Sequence, residues 1–336
     1  MSGSILILGG AGYIGAHAGY LLSKLGYRII IVDKFVHHQR FAQRWAEVIH
    51  ADFADEAVMS RIFETNNIAA VMHFAAFIEV GESVKRPKEF YDNNVQKVFT
   101  LMNVMLRYGI NKFIFSSSCA VYGNPVKVPM DEQHQTVPVS PYGRNKLIVE
   151  YALQDYAQAY DFNFVSLRYF NAAGALPELG LGERHDPETH LIPLLLRAIQ
   201  AQTVFKIFGS DYSTKDGTCV RDYVHVLDIA QAHVNALIYL QNGMPSDFFN
   251  LGTGHGYTVQ EVVHAAELVC GKKVIVEMCG RRKGDAAVLV ADPSKAEKIL
   301  GWRAQHSDLY NIISSAFVFE QLKKENAKRL LCEGVL

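Results

Sequence analysis

Four short, largely apolar runs at residues 5–8, 28–32, 70–74 and 112–116 alternate with longer amphipathic stretches such as 16–25 and 95–108. A strand written as an unbroken apolar run is covered on both faces, whereas a strand with one wet face alternates. Repeated in this order, strand and helix build a doubly wound parallel sheet through right-handed crossovers. Residues 164–168 read as a further strand. After about Asn171 the character changes, and 174–187 is rich in Gly, Pro, Glu and His. A helix over 193–201, a loop holding 211–217, a helix near 226–240 and a strand near 248–251 follow, then short helices and loops up to Trp302. The expected fold class is α/β, with a sheet unit over 1–171 to which later segments return. A smaller C-terminal α/β substrate lobe, mainly 172–336 and interleaved at the boundary, sits over the sheet edge where such folds bind ligands. With 336 residues the chain is long enough for both without disulfide staples.

The first run leads into Gly9-Gly10-Ala11-Gly12-Tyr13-Ile14-Gly15. Gly9 suits a tight turn, Gly12 a close approach of backbone to a pyrophosphate, and Gly15 close helix–strand packing, with the phosphates on the helix N-terminus. Tyr13 and Ile14 belong to the same turn. The second run ends in Asp33, where a carboxylate accepts hydrogen bonds from the adenosine ribose and repels a 2′-phosphate. The pattern is Rossmann-type and predicts NAD rather than NADP; Lys34, beside the acid, works against that preference. Asp52 and Phe53 follow the third strand and are placed beside the adenine. Phe74, Ala75 and Ala76 end the fourth strand where backbone passes close to the cofactor, and His73 reads as a packed strand histidine.

Charge narrows the partners. Against 33 Lys and Arg stand 34 Asp and Glu, a formal net charge of −1. Neither a nucleic acid nor an anionic membrane finds a field to bind. No segment approaches the roughly 20 apolar residues of a membrane span, and the N-terminus carries no basic leader. The five cysteines are odd in number and lack a CxxC pair, so reduced thiols in a cytoplasmic protein are expected. No metal site is read.

Ser116-Ser117-Ser118 close the fifth strand, and Pro141-Tyr142-Gly143-Arg144-Asn145-Lys146 open a helix soon after. Tyr142 and Lys146 are four apart and share a helix face. A phenol of pKa about 10 is a poor base, but a neighbouring ammonium and a nicotinamide cation favour the phenolate. A depression of about 3 units corresponds to roughly 4 kcal/mol. Such a phenolate removes a hydroxyl proton while hydride leaves the same carbon, with Ser118 holding the hydroxyl in line.

Together these residues resemble the extended short-chain dehydrogenase/reductase family. The strings Val80-Gly81-Glu82-Ser83, Tyr91-Asp92-Asn93-Asn94, Tyr169-Phe170-Asn171, Val220-Arg221-Asp222-Tyr223-Val224-His225-Val226 and Asn250-Leu251-Gly252 resemble its UDP-hexose 4-epimerase branch, over about residues 4 to 305. The resemblance implies an isomerase with tightly held NAD that interconverts UDP-glucose and UDP-galactose through a 4-keto sugar. Ser118, Tyr142 and Lys146 would be catalytic, and Asn93, Ser116 and Tyr169 would join the cofactor contacts. Arg221 and Arg282 would grip the diphosphate, Asn171, His190 and Leu191 the substrate, Phe208 the uracil and Asp285 the ribose. Leu289 stands where residue size gates N-acetylated sugars, so UDP-GlcNAc and UDP-GalNAc remain open. The residues Lys34-Phe35-Val36-His37-His38 depart from the branch's polar pattern, and Ile78 replaces a lysine, so that contact is not carried over. A homodimer through 95–108 and 147–160 is also implied. On the same scaffold, an NAD-dependent UDP-sugar dehydratase or decarboxylase would need an acid pair after the serine, where Cys119-Ala120 stand. A non-catalytic NAD-binding sensor would have lost Tyr142 or Lys146.

Overall fold

The computed structural model describes residues 3–34, 40–282 and 284–332. Phe35, Val36, His37, His38 and Lys283 therefore lie outside the described residues. Six strands, β1 (Ser4–Leu8), β2 (Ile29–Asp33), β3 (Glu47–His50), β4 (Ile68–His73), β5 (Lys112–Ser118) and β6 (Asn163–Tyr169), join the later strand Asp247–Leu251 in one sheet. Its order is Asp247–Leu251, β6, β5, β4, β1, β2, β3, and every pairing is parallel.

Adjacent residues of β1 feed opposite layers of core, which is why the run has no polar alternation. Ile5 and Ile7 pack with Ile29, Ile31, Val165 and Leu167 beneath the helix Val226–Gln241. Leu6 and Leu8 pack on the other face with Ile30, Val32, Val71, Phe113 and Phe115 under the helices Glu56–Thr65, Lys97–Arg107 and Pro141–Ala159. The chain thus leaves the sheet and comes back with one helix and one strand.

A third apolar cluster lies outside the sheet. Leu195, Leu196 and Ile199 of the helix Leu191–Ala201 meet Val262 and Ala266 of Val259–Cys270 and Ile312 and Ile313 of Leu309–Cys332. The last helix, 24 residues long, is absent from the sequence reading, which stops at Trp302. The helix expected over 95–108 also differs: Asp92–Gln96 form a π turn before the α-helix Lys97–Arg107, and Tyr108 is its C-cap. Short strands build the rest: Val220–Arg221 lies between Tyr257–Thr258 and Val288–Leu289, and Val204–Phe208 pairs with Ile275–Cys279. Among the described residues no helix is long and apolar enough to cross a membrane. Cys119, Cys219, Cys270 and Cys279 are unbridged.

Candidate active site

The strand order reverses between β1 and β4, and there the chain turns into the helix α1 (Tyr13–Lys24). Gly9 takes φ +74°, and a Cβ on it would stand 2.6 Å from the Ala75 amide. A Cβ on Gly15 would meet the Gly9 carbonyl at 2.5 Å, so this glycine abuts the turn itself rather than the strand. The N-cap residue Gly12 gives α1 no side-chain cap. The first-turn amides are therefore available to an external acceptor, which fits a dinucleotide diphosphate.

Asp33 Oδ2 accepts the Ala11 amide at 2.9 Å, which fixes the carboxylate at the mouth of the turn. Lys34 is committed elsewhere: its Nζ lies 2.5 Å from Asp52, which also receives Lys97 at 2.6 Å. Burial works to raise the Asp52 pKa, but the two ammonium groups prevail and hold it down to about 2. Phe53 is a core residue, 6% exposed, with its ring edge-on to His73 at 5.0 Å. Burial depresses the His73 pKa to about 3, and its ring also contacts Phe113 and Phe115, as a packed histidine should. Phe74 lies 4.5 Å from the His233 ring, whose Nε2 is 3.2 Å from Ser116 Oγ. Ala75 donates its amide to the Leu8 carbonyl, and Ala76 follows it out of β4. Asn93 donates to Asn94 Oδ1, and Asn94 in turn clamps both backbone groups of Phe77 at 2.8 Å. The sequence reading chose Asn93 and passed over the buried Asn94 beside it.

Ser118 ends β5 and Tyr142 begins the Pro141–Ala159 helix, whose N-cap Ser140 accepts the Gly143 amide at 3.1 Å with Pro141 following. The Tyr142 amide is held by Ser83 Oγ at 3.2 Å, and Ser118 is close enough to its phenol to favour the charged form. Lys146 is 4% exposed, donates to the Ser116 carbonyl at 2.8 Å, and places Nζ 5.8 Å from the Tyr142 ring centre. Burial pushes Lys146 down to about 7, with the Glu150 carboxylate opposing. Burial also drives Tyr142 above its ordinary 10; Tyr169, Cys119 and Glu79 add to this, and Ser118 pulls the other way. Burial therefore favours the protonated phenol, against which any added cation would work. Tyr169 is likewise pushed up to about 12 by burial.

Glu150 is one further step along the face that carries Tyr142 and Lys146, a spacing that could have revealed it. It forms a buried pair with Arg168 at 2.7 Å, and Arg168 reaches Tyr122, which donates to Asn250. Asp222, fully buried, accepts amides from Thr253, Gly254 and Ala291 and so ties three segments beside Arg221.

Outside the main sheet, Arg221 Nη1 donates to the Val220 and Ala286 carbonyls at 2.8 and 2.9 Å. Arg282 stacks over Phe208 at 4.3 Å and lies 3.6 Å from Asp285. Leu289 pairs in register with Arg221 and, like Cys119, packs against the cluster that holds Tyr122 and Phe170. Asn171 opens the strand Asn171–Ala173 that pairs with Tyr223–His225. His190 is the N-cap of the helix that begins at Leu191, and its Nδ1 turns towards Glu183 and Glu188. Burial disfavours its charge, yet the two carboxylates prevail and push it up to about 10.

A diphosphate-ready glycine turn at the strand-order switch, with a Ser, Tyr and Lys cluster on the same edge of the sheet, defines a Rossmann-type nucleotide-dependent enzyme. The chain belongs to the NAD dependent epimerase/dehydratase family, whose sequence profile matches residues 5–252. It is 51% identical over 315 residues to a UDP-glucose 4-epimerase of Rhizobium leguminosarum bv. trifolii, covering 94% of this chain and 96% of that one. The crystal structure of a Brucella ovis UDP-glucose 4-epimerase in complex with NAD superimposes with TM-score 0.91 at 43% identity, covering 94% and 98% of the two chains. The UDP-Glc/GlcNAc 4-epimerase of Campylobacter jejuni superimposes with TM-score 0.83 at 39% identity, covering 96% and 100%.

Proposed function

We propose that this chain is an NAD-dependent isomerase that interconverts UDP-glucose and UDP-galactose by inverting C4 through a 4-keto sugar. The observation that carries this reading is the Ser118, Tyr142 and Lys146 cluster at the C-terminal end of β5, on the same sheet edge as the glycine turn with β4 between. NAD, when bound there, would supply a hydride acceptor for C4 and the hydride that completes the inversion. The chain's own groups do the rest. Asp33 takes the adenosine ribose, the α1 amides the pyrophosphate, and the backbone at Phe53 and Phe74 to Ala76 lines the dinucleotide. Asn93, Ser116 and Tyr169 complete its seat. Tyr142 takes the O4 proton while Ser118 orients the hydroxyl. Burial holds the Tyr142 phenol protonated; a nicotinamide cation would favour the phenolate, and Lys146 adds its charge when protonated.

UDP is gripped while the sugar turns. Arg221 presents its fork to the diphosphate with one nitrogen already fixed by two carbonyls, and Arg282 does so from its stack on Phe208. Asn171, His190 and Leu191 border the sugar, and Asp285 the ribose. Leu289 sets how large a C2 substituent fits, which leaves UDP-GlcNAc and UDP-GalNAc as further substrates. The enzyme acts in the cytoplasm as a homodimer through the faces of Lys97–Arg107 and Pro141–Ala159.

The decisive experiment is a coupled assay with UDP-galactose and UDP-GalNAc, run without added NAD. Turnover of UDP-galactose establishes both reaction and retained cofactor. Tyr142→Phe is expected to lose at least about 100-fold in turnover while keeping its NAD. Wild-type activity in that variant would sink the mechanism.

A further inference from the structure

Between the sheet and the helix Leu191–Ala201, the eight residues Glu183-Arg184-His185-Asp186-Pro187-Glu188-Thr189-His190 turn four ligand-type side chains onto one point. One ligand atom from each of Glu183, His185, Glu188 and His190 lies within 4.8 Å of all the others. Glu183 Oε1 is 3.0 Å from His185 Nδ1 and 2.5 Å from His190 Nδ1. Glu188 Oε1 is 3.9 and 3.3 Å from the same two nitrogens. The Glu183, His185 and Glu188 side chains are 8, 9 and 1% exposed, and His190 closes the outer side.

We propose that Glu183, His185, Glu188 and His190 form a closed binding site for one divalent transition-metal ion of the zinc type. An imidazole Nδ1 proton points along the ring plane at a single acceptor. Here each Nδ1 lies within reach of both carboxylates, and both converge on Glu183 Oε1, so the four donors surround a single position that one ion can share. A tetrahedral ion with bonds of about 2.0–2.1 Å holds its donors about 3.3 Å apart, in the middle of the four observed spacings. Two imidazoles and two carboxylates neutralise a dication, and a mixed nitrogen and oxygen set favours zinc over magnesium or calcium.

The surroundings support the donors. Glu188 Oε2 has no hydrogen-bond partner and faces Arg197 at 3.5 Å, so a guanidinium steadies the carboxylate from behind. Arg197 is itself held by Glu320 at 3.2 Å. Arg184, between the ligands, stacks on Phe319 of the last helix at 4.9 Å. The ion would pin the segment that leads into Leu191, beside Tyr13, whose hydroxyl donates to the Gly174 carbonyl at 2.6 Å. His190 Nδ1 binds the ion and leaves Nε2 for the sugar nucleotide, so the two roles coexist.

The full chain carrying its own cofactor is stripped with EDTA and titrated with zinc and, separately, with cobalt(II). The expected result is one ion per chain, a raised Tm on zinc addition, and cobalt bands of a tetrahedral nitrogen and oxygen set without thiolate charge transfer. His185→Asn and Glu188→Gln should each weaken zinc at least about tenfold. Circular dichroism checks that they remain folded, and if either does not, the wild-type cobalt spectrum decides alone. No bound zinc, a thiolate band, or unchanged affinity in the folded variants would overturn the site. None of these readouts depends on epimerase turnover.

Discussion

At Lys146, burial and charge compete most directly. Its amine sits at about 7 in the fold, against about 10.4 in an unfolded chain. Between those values the unfolded chain holds more protons, so this group's contribution to stability rises with pH from about 7 towards 10. Lys146→Met removes that slope. The variant should be the more heat-stable protein at or below about pH 7, with the advantage closing as pH rises; a difference in Tm that does not change with pH would refute this. Glu150 explains why the amine is not lower still, and its own charge is balanced by Arg168. Leu289 is the other residue whose setting makes a prediction, since it pairs with Arg221 and, like Cys119, packs against the cluster that holds Tyr122 and Phe170. Leu289→Tyr should suppress turnover of UDP-GlcNAc while sparing UDP-glucose, and equal rates on both would remove the gate.

Elements place these side chains. Tyr142 lies in the first turn of its helix, so its position depends on the Ser140 cap and on Pro141. Ser140→Ala should cost about 1 kcal/mol of stability, read by urea unfolding, and should lower kcat more than it raises KM, because the phenol moves with the turn. An unchanged kcat would show that Ser83 alone holds Tyr142 in place. The glycine turn was readable because its neighbours are sequence-local: Gly9 and Gly15 approach each other across six residues. The π turn at Asp92–Gln96 was not, because the Asn94 contacts that accompany it are to Phe77, 17 residues away.

Across the whole molecule, the lobe and the sheet are joined by long-range polar contacts. Asp222 gathers Thr253, Gly254 and Ala291, and Tyr13 reaches Gly174. Tyr91, Val95, Phe99 and Asn103 line a groove, Asn103 accepts the Tyr156 hydroxyl of Pro141–Ala159, and Tyr151 and Tyr160 are about half exposed. A face of this kind suits a second copy of the chain. Light scattering on the full protein should give twice the chain mass, with Phe99→Glu shifting it to the monomer. A wild-type monomer at micromolar concentration would contradict the dimer.

What the sequence determined by itself was local or periodic: the βα alternation, the glycine turn, Asp33 at a strand end, and Tyr142 with Lys146 on one helix face. Each rests on spacing within a single element, where backbone geometry dictates what faces what. Tertiary structure decided the rest. It buried Phe53 in the core, committed Lys34 to Asp52, and packed Tyr142 where burial raises its pKa, because desolvation depends on what packs around a group and not on its neighbours in the chain. It also folded Glu183, His185, Glu188 and His190 onto one point, although their spacing matches no familiar ligand pattern.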